Sequence, residues 1–243
     1  ADRVGFADHE KSARLERSLA SYRRALNRER FTATVASLVE DGTEPVYDVT
    51  VADVHAFDAN GLEVHNCGEQ PLPSYGCCDL GSIDLTRFVQ FPFTPDARFD
   101  FHGFAATVNV AIRMLDNVLD VTAWPLAQQQ AEAMAKRRIG LGFTGLGDAL
   151  IELGLRYDAD EGRATASRSA EEMRDAAYLS SVEIAKDKGP FPLLDRNAYL
   201  APPRFASRLP DEIKQAIRTH GIRNSHLLSI APTGTISLAF ADN

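Results

Sequence analysis

The spacing of apolar positions divides the chain into stretches of unlike texture. Between Asp8 and Arg30, Leu15, Leu19, Tyr22 and Leu26 recur three and four residues apart with charges between them, which predicts a surface helix or linker. From Phe31 the period shortens. Phe31 to Val39 alternates and is rich in Thr and Val, Asp41-Gly42 marks a turn, and Val46 to Val51 is a second strand-like run. Asn60-Gly61 predicts a tight hairpin, because both central residues of such a turn need positive φ, and Leu62 to Val64 is the returning strand. Residues 31–66 therefore read as short β-strands.

After Cys67 the texture changes again. Pro71-Leu72-Pro73 is an extended loop. Phe101 to Leu153 carries a helical pattern, broken at Trp124-Pro125 and around Arg138. Asp160 to Lys188 predicts a long helix, followed by a Pro-rich loop from Gly189 to Arg204 and a short helix at residues 211–219. His226 to Ile230 predicts a buried strand that runs into Ala231-Pro232-Thr233-Gly234-Thr235. The class is α/β, with a small β-rich segment before it.

Composition narrows the function classes. A chain of 243 residues holds one large domain or two small ones, and its 44% apolar and 25% charged residues are ordinary for a globular protein. The net charge of −8 argues against nucleic acid as the main partner. The basic cluster Lys136-Arg137-Arg138 is expected to be a solvated helix end. No apolar run approaches the roughly 18 residues a membrane span needs, and Ala1-Asp2-Arg3-Val4 does not open a signal peptide, so no membrane partner and a cytoplasmic location are expected. The chain does not start with Met and stops just after an apolar run, so both ends are expected to be cuts in a longer protein.

The cysteines number three, Cys67, Cys77 and Cys78, crowded into one short stretch. An odd count without a signal peptide is a poor disulfide framework. No histidine stands at zinc-ligand spacing beside them, so no metal site is expected. A redox or nucleophilic role competes with a reading as buried inert thiols.

Two constellations share Cys67. In the first, His65-Asn66-Cys67 joins an amide that can cyclise on its own backbone carbonyl, an imidazole that can assist, and a thiol nucleophile. The preceding residues, Val46-Tyr47-Asp48-Val49-Thr50-Val51, His55-Ala56-Phe57, Ala59-Asn60-Gly61-Leu62 and Val64-His65-Asn66-Cys67, resemble the two C-terminal splicing blocks of inteins. The resemblance implies a small all-β splicing domain. In it His55 assists the final steps, His65 promotes cyclisation of Asn66, and Cys67 accepts the acyl chain as first residue of the flanking protein. The N-terminal nucleophile block of an intein does not precede residue 31, so complete splicing is not expected of this chain alone.

In the second constellation, Cys67-Gly68-Glu69 sets a carboxylate two residues from a thiol, on the same side of an extended loop. Cys78 follows after Pro-rich sequence that can loop back. Two thiols and a carboxylate suit a reduction whose electrons come from a dithiol. Three stretches resemble adenosylcobalamin-dependent (class II) ribonucleotide reductases in the family's order. They are Cys67 to Leu85, Arg138-Ile139-Gly140-Leu141-Gly142-Phe143-Thr144-Gly145-Leu146, and Ser229-Ile230-Ala231-Pro232-Thr233-Gly234-Thr235-Ile236-Ser237.

This resemblance implies part of a ten-stranded α/β barrel and the conversion of ribonucleoside di- or triphosphates to 2′-deoxyribonucleotides. Adenosylcobalamin would be the radical source and a thioredoxin-type protein the reductant. Cys67 would be the thiyl radical that abstracts the ribose 3′ hydrogen, Glu69 the base on the 3′ hydroxyl, and Cys78 one of the two thiols that reduce the 2′ carbon. The partner of Cys78 lies upstream in the family and outside this chain, as does the Asn two positions before the radical cysteine. Asp79 and Asp84 stand where the family usually has Asn. Gly68, Pro232, Thr233, Gly234, Thr235 and Ile236 would bind substrate, the last five holding its phosphates. Local chemistry agrees, since a strand ends there and hydroxyls and amides open a helix, although an ordinary capped helix looks the same.

The expected organisation is a helical linker or intein remnant at 1–30, an intein C-terminal segment at 31–66, and a reductase barrel fragment at 67–243. The rival reading keeps only one intrinsic activity, cleavage of the Asn66-Cys67 peptide bond. Gly140-Leu141-Gly142-Phe143-Thr144-Gly145 also fits G-x-G-x-x-G, but Met134 to Arg138 before it is no strand. Close helix packing through small residues is the expectation there.

Overall fold

The computed structural model describes residues 56–59, 62–65, 70, 72–231 and 233–240. The expected helix at 8–30 and the strands at 31–39 and 46–51 lie outside the described residues. Strands β1 (Ala56–Ala59) and β2 (Leu62–His65) pair antiparallel with Ala59 opposite Leu62. That register leaves a two-residue connection at Asn60-Gly61, the length the turn signal predicts.

Strand β3 (Asp79–Asp84) ends in a single 3-10 turn, Leu85–Phe88, because the Asp84 carboxylate accepts from Thr86 N at 3.0 Å and Thr86 Oγ1 at 2.8 Å. A short ribbon, β4 (Val89–Gln90) against β5 (Arg98–Phe99), leads into α1 (Phe101–Val121). Asp100 opens α1 by accepting from Gly103 N at 2.9 Å. Such a cap contributes about 1 kcal/mol. The fully buried stripe of Phe104, Val108, Ile112, Leu115 and Leu119, three and four residues apart, contributes about 1.5–3 kcal/mol per side chain, so burial decides this helix. Thr122 ends it ahead of Trp124-Pro125, since the residue before a proline is pushed out of the α region. Helix α2 (Ala127–Lys136) follows and stops at Arg137, which turns left-handed at φ 49°.

The chain then forms β6 (Ile139–Thr144), parallel to β3 with Asp79 opposite Ile139 and Asp84 opposite Thr144. The helical pattern expected from Phe101 to Leu153 is thus cut by a strand. Ile139, Gly140, Leu141 and Gly142 are all buried, so both faces are covered and the alternation that announces a strand is missing. The expectation that the glycines pack helices also gives way. A Cβ on Gly142 would lie 2.3 Å from the Ser229 carbonyl oxygen, and one on Gly140 would lie 2.8 Å from Ser229 Cβ and 3.0 Å from Cys78 Sγ. The small residues admit another segment of backbone and a thiol.

Gly145, at φ 69°, turns the chain into α3 (Leu146–Glu152). Helix α4 (Asp160–Lys188) has the bounds the pattern predicts and packs along α1. Within the Pro-rich loop the structure adds a short helix, α5 (Arg196–Leu200), which Asp195 caps by accepting from Asn197 N and Ala198 N at 3.0 Å. Helix α6 (Asp211–His220) buries Ile213 and Ile217. The stretch at 226–230 lies on the other side of β6 from β3. It makes one parallel bridge, Leu141 to Leu228, in place of a full strand. Leu141 N donates to Leu227 O at 2.8 Å and Ser229 N to Leu141 O at 3.1 Å. Helix α7 (Thr233–Phe240) begins four residues beyond Ser229.

The basic cluster is not a solvated helix end. Lys136 pairs with Glu132, but Arg137 and Arg138 are buried. The Arg137 guanidinium donates to both Asp116 Oδ1 and Asp120 Oδ1 at 2.8 Å. Burial works against its charge, yet these bonds outweigh it and raise its pKa above the ordinary arginine value. Asp116, fully buried on α1, also accepts from Asn224 Nδ2 at 2.9 Å and Arg223 Nε at 3.3 Å. Asn224 in turn exchanges bonds with Ser181 on α4. One carboxylate thus joins α1, the end of α2 and the approach to residues 226–230, and meets α4 through Asn224 and at Lys188, whose Nζ lies 3.7 Å from Oδ2.

Candidate functional site

Several expected site residues, His55, Asn66, Cys67, Gly68, Glu69 and Pro232, lie outside the described residues. His65 is described only as backbone of β2, and Thr235 only as backbone of α7. The structure does place Cys78, the loop residue Gln70, and the start of α7.

Cys78 stands immediately before β3, its Sγ directed at Gly140. It reaches the side-chain oxygen of Gln70, Sγ to Oε1 3.8 Å. Gln70 Nε2 donates to Ile139 O at 2.8 Å and Leu228 O at 2.9 Å, and its backbone N donates to Ser229 Oγ at 3.2 Å. Arg138 Nη1 approaches Oε1 at 3.4 Å. One side chain therefore ties the loop after Cys67 to β6 and to residues 228–229, and carries the thiol with it. No local pattern singles out Gln70, because every partner except Cys78 is 68 to 159 residues away.

The neighbourhood favours protonated groups. Burial pushes the Cys77 thiol up, and Asp79 adds to the rise while Arg138 opposes it. Burial also raises the Asp79 carboxyl, whose Oδ2 is buried without a hydrogen-bond partner among the described residues. These groups suit thiols that give up hydrogen more than standing thiolates.

The start of α7 opens on a cavity of about 430 Å³ lined by Phe143, Thr144, Gly145, Tyr157, Thr233 and Gly234 among others. Among the described residues no atom lies within 4 Å of a Cβ on Gly234, so its open side faces space. The cavity sits beyond the carboxyl ends of β6 and the 226–230 stretch, where open α/β sheets bind ligands. Asp148 in its wall weighs against an anion, while the helix start weighs for one. Four residues of chain span at most about 14 Å, so Thr233 is within that distance of Ser229, which adjoins Gly140 and the thiol. Among the described residues, no group of His, Cys, Asp and Glu could hold a metal ion, and no helix is long and apolar enough to cross a membrane.

A thiol at the head of a parallel strand pair, with a helix-opening cavity at its foot, defines a class. Residues 47–243 match the family described as ribonucleotide reductase, barrel domain, and the chain belongs to that family. Among its relatives is the vitamin B12-dependent ribonucleoside-diphosphate reductase of Mycobacterium tuberculosis (strain CDC 1551 / Oshkosh), 37% identical over 172 residues, which covers 71% of this chain and 22% of that protein. The enzyme of the same description from Thermoplasma acidophilum is 33% identical over 172 residues, covering 71% and 20%. The ribonucleoside-diphosphate reductase subunit alpha of Chlamydia muridarum is 32% identical over 193 residues, covering 71% and 18%. The chain spans about a fifth of the length of these relatives.

Proposed function

We propose that this chain contributes the thiol and phosphate-binding part of a ribonucleotide reductase that makes 2′-deoxyribonucleotides by a cysteine radical route. The observation that carries the reading is the placement of Cys78 between Gln70 and Gly140, on the segment pair that leads within four residues to the start of α7. The Cys67 thiyl radical takes the 3′ hydrogen of the ribose, and Glu69 takes the proton of the 3′ hydroxyl. Cys78 and a second thiol from outside this chain supply two electrons and two protons. The 2′ hydroxyl leaves as water, the 2′ carbon gains hydrogen, Cys67 returns the 3′ hydrogen and Glu69 the hydroxyl proton, and the thiols end as a disulfide that a thioredoxin-type protein reduces. Thr233 to Ile236 and Pro232 hold the phosphates, with Gly68 against the sugar. The names of the relatives favour a diphosphate substrate and adenosylcobalamin, which would supply the oxidising radical. A corrinoid brings its own cobalt, no described residue is assigned to hold it, and the steps above rest on the chain's own groups.

In a spliced, full-length reductase, Cys67→Ser is expected to abolish nucleotide reduction, and Cys78→Ser to abolish turnover driven by a thioredoxin-type reductant. Deoxynucleotide formation by the Cys67 variant would refute the radical assignment.

A second reading concerns residues 31–66 and is favoured by the β1-β2 pairing around Asn60-Gly61. It makes this segment the C-terminal part of an intein inserted at Cys67. His65 then assists cyclisation of Asn66, and His55 the closing steps. The unspliced chain separates Cys67 from the upstream half of the reductase and performs neither reaction in full.

A further inference from the structure

Among the described residues, Gln70 makes five polar contacts, and together they fix which way its amide points. Both atoms facing Nε2 are carbonyl oxygens, Ile139 O at 2.8 Å and Leu228 O at 2.9 Å. Both groups facing Oε1 are donors, Arg138 Nη1 at 3.4 Å and Cys78 Sγ at 3.8 Å. A flipped amide would set donor against donor and acceptor against acceptor at all four. The fifth contact, Gln70 N to Ser229 Oγ, holds the backbone. The thiol therefore meets oxygens that can only accept, Gln70 Oε1 at 3.8 Å and, farther off, the Asp79 carbonyl at 4.0 Å. An S–H satisfies the nearer oxygen. A thiolate repels it, and a disulfide sulfur has no hydrogen to give.

We propose that Gln70 is a positioning residue that holds Cys78 in its protonated, reduced state, aimed along the 139–140 and 228–229 backbone. The proposal rests on the reading of Cys78 as a reducing thiol. Its chemistry is specific: the thiol is kept as a hydrogen source until substrate draws it away, and oxidation to the disulfide gives up one hydrogen bond. The ionisable groups around this pair of cysteines are Arg138 from the start of β6, Asp79 and Cys77 on the same segment, and Glu132 from α2. Arg138 shares Oε1 with the thiol.

The test is alkylation of the 243-residue chain by iodoacetamide across pH, with each cysteine followed by site-resolved mass spectrometry. Gln70→Leu keeps the bulk and removes the nearer acceptor; Cys78 alkylation at pH 7 is expected to rise roughly ten-fold, while Cys77 stays within about two-fold. Gln70→Glu puts a negative charge beside Sγ and is expected to slow Cys78. Simple loosening of the loop would speed both cysteines in both variants, and that result, or an unchanged Cys78 in Gln70→Leu, overturns the proposal. Should Gln70→Leu lose its helical circular dichroism, the sign of the Gln70→Glu effect decides alone. Because the readout is thiol reactivity, it stands apart from turnover: a failure to reduce nucleotides would count against the proposed function without touching this result.

Discussion

Asp79 is a carboxylic acid in a place that suits an amide. Its Oδ2 is buried with no hydrogen-bond partner among the described residues, and burial raises its pKa above the ordinary carboxylate value. A carboxyl raised on folding stabilises the fold where it is protonated, below its unfolded value, and that contribution is lost as pH rises through the folded value. At pH 7 the folded state carries an ionised group it would rather keep neutral. Asp79→Asn is therefore expected to raise the melting temperature at pH 7 by roughly 2–4 °C, and the gain should fade as the pH drops toward 4. Calorimetry of both proteins at the two pH values checks this, and an equal difference at each would rule out the carboxyl as the cause. Asp84 differs because its carboxylate caps a turn. At this scale Cys78 stands out in the sequence as a candidate, because its chemistry shows in the residue type. Gln70 does not, since its importance lies in bonds to backbone that only folding brings near.

The elements most legible in the sequence are those with one buried face. Helix α4 keeps the predicted bounds, Asp160 and Lys188, and α1 shows its stripe plainly. Strand β6 was hidden because both faces are covered and two of its six residues are glycines. The short helix α5 was hidden in proline-rich sequence and depends on one Asp cap. The glycines of β6 now carry a quantitative expectation. Gly142→Ala would set a methyl 2.3 Å from the Ser229 carbonyl oxygen, so it should destabilise the fold by about 1–3 kcal/mol in urea unfolding. Gly147→Ala is the control: nothing lies within 4 Å of its Cβ, and inside α3 the change should be neutral or slightly stabilising. Similar losses in both would show that the close approach at Ser229 does not govern the sheet.

At the scale of the whole molecule, the family and the order of its motifs were legible in the sequence, while the pairing of distant segments was not. The proposed seam at Asn66-Cys67 gives a product that can be weighed. If the missing N-terminal half of an intein is supplied in trans, the expected outcome is a 177-residue product beginning at Cys67, or a ligated one, seen by mass spectrometry and absent with Asn66→Ala. Wild type and Asn66→Ala remaining alike would sink the splicing reading. The buried carboxylate of Asp116 has a consequence for how the chain assembles. Its partners Arg137 and Asn224 come 21 and 108 residues later, and closing so wide a loop is slow and comes late. Arg137 can therefore match the charge on the inner face of α1 soon after that helix has been made, whereas Asn224 joins it only once α4 and α6 have followed. The same arrival of Asn224 brings Leu228 and Ser229 to Gln70, so the backbone that frames the thiol comes together only after α4 and α6 have been made.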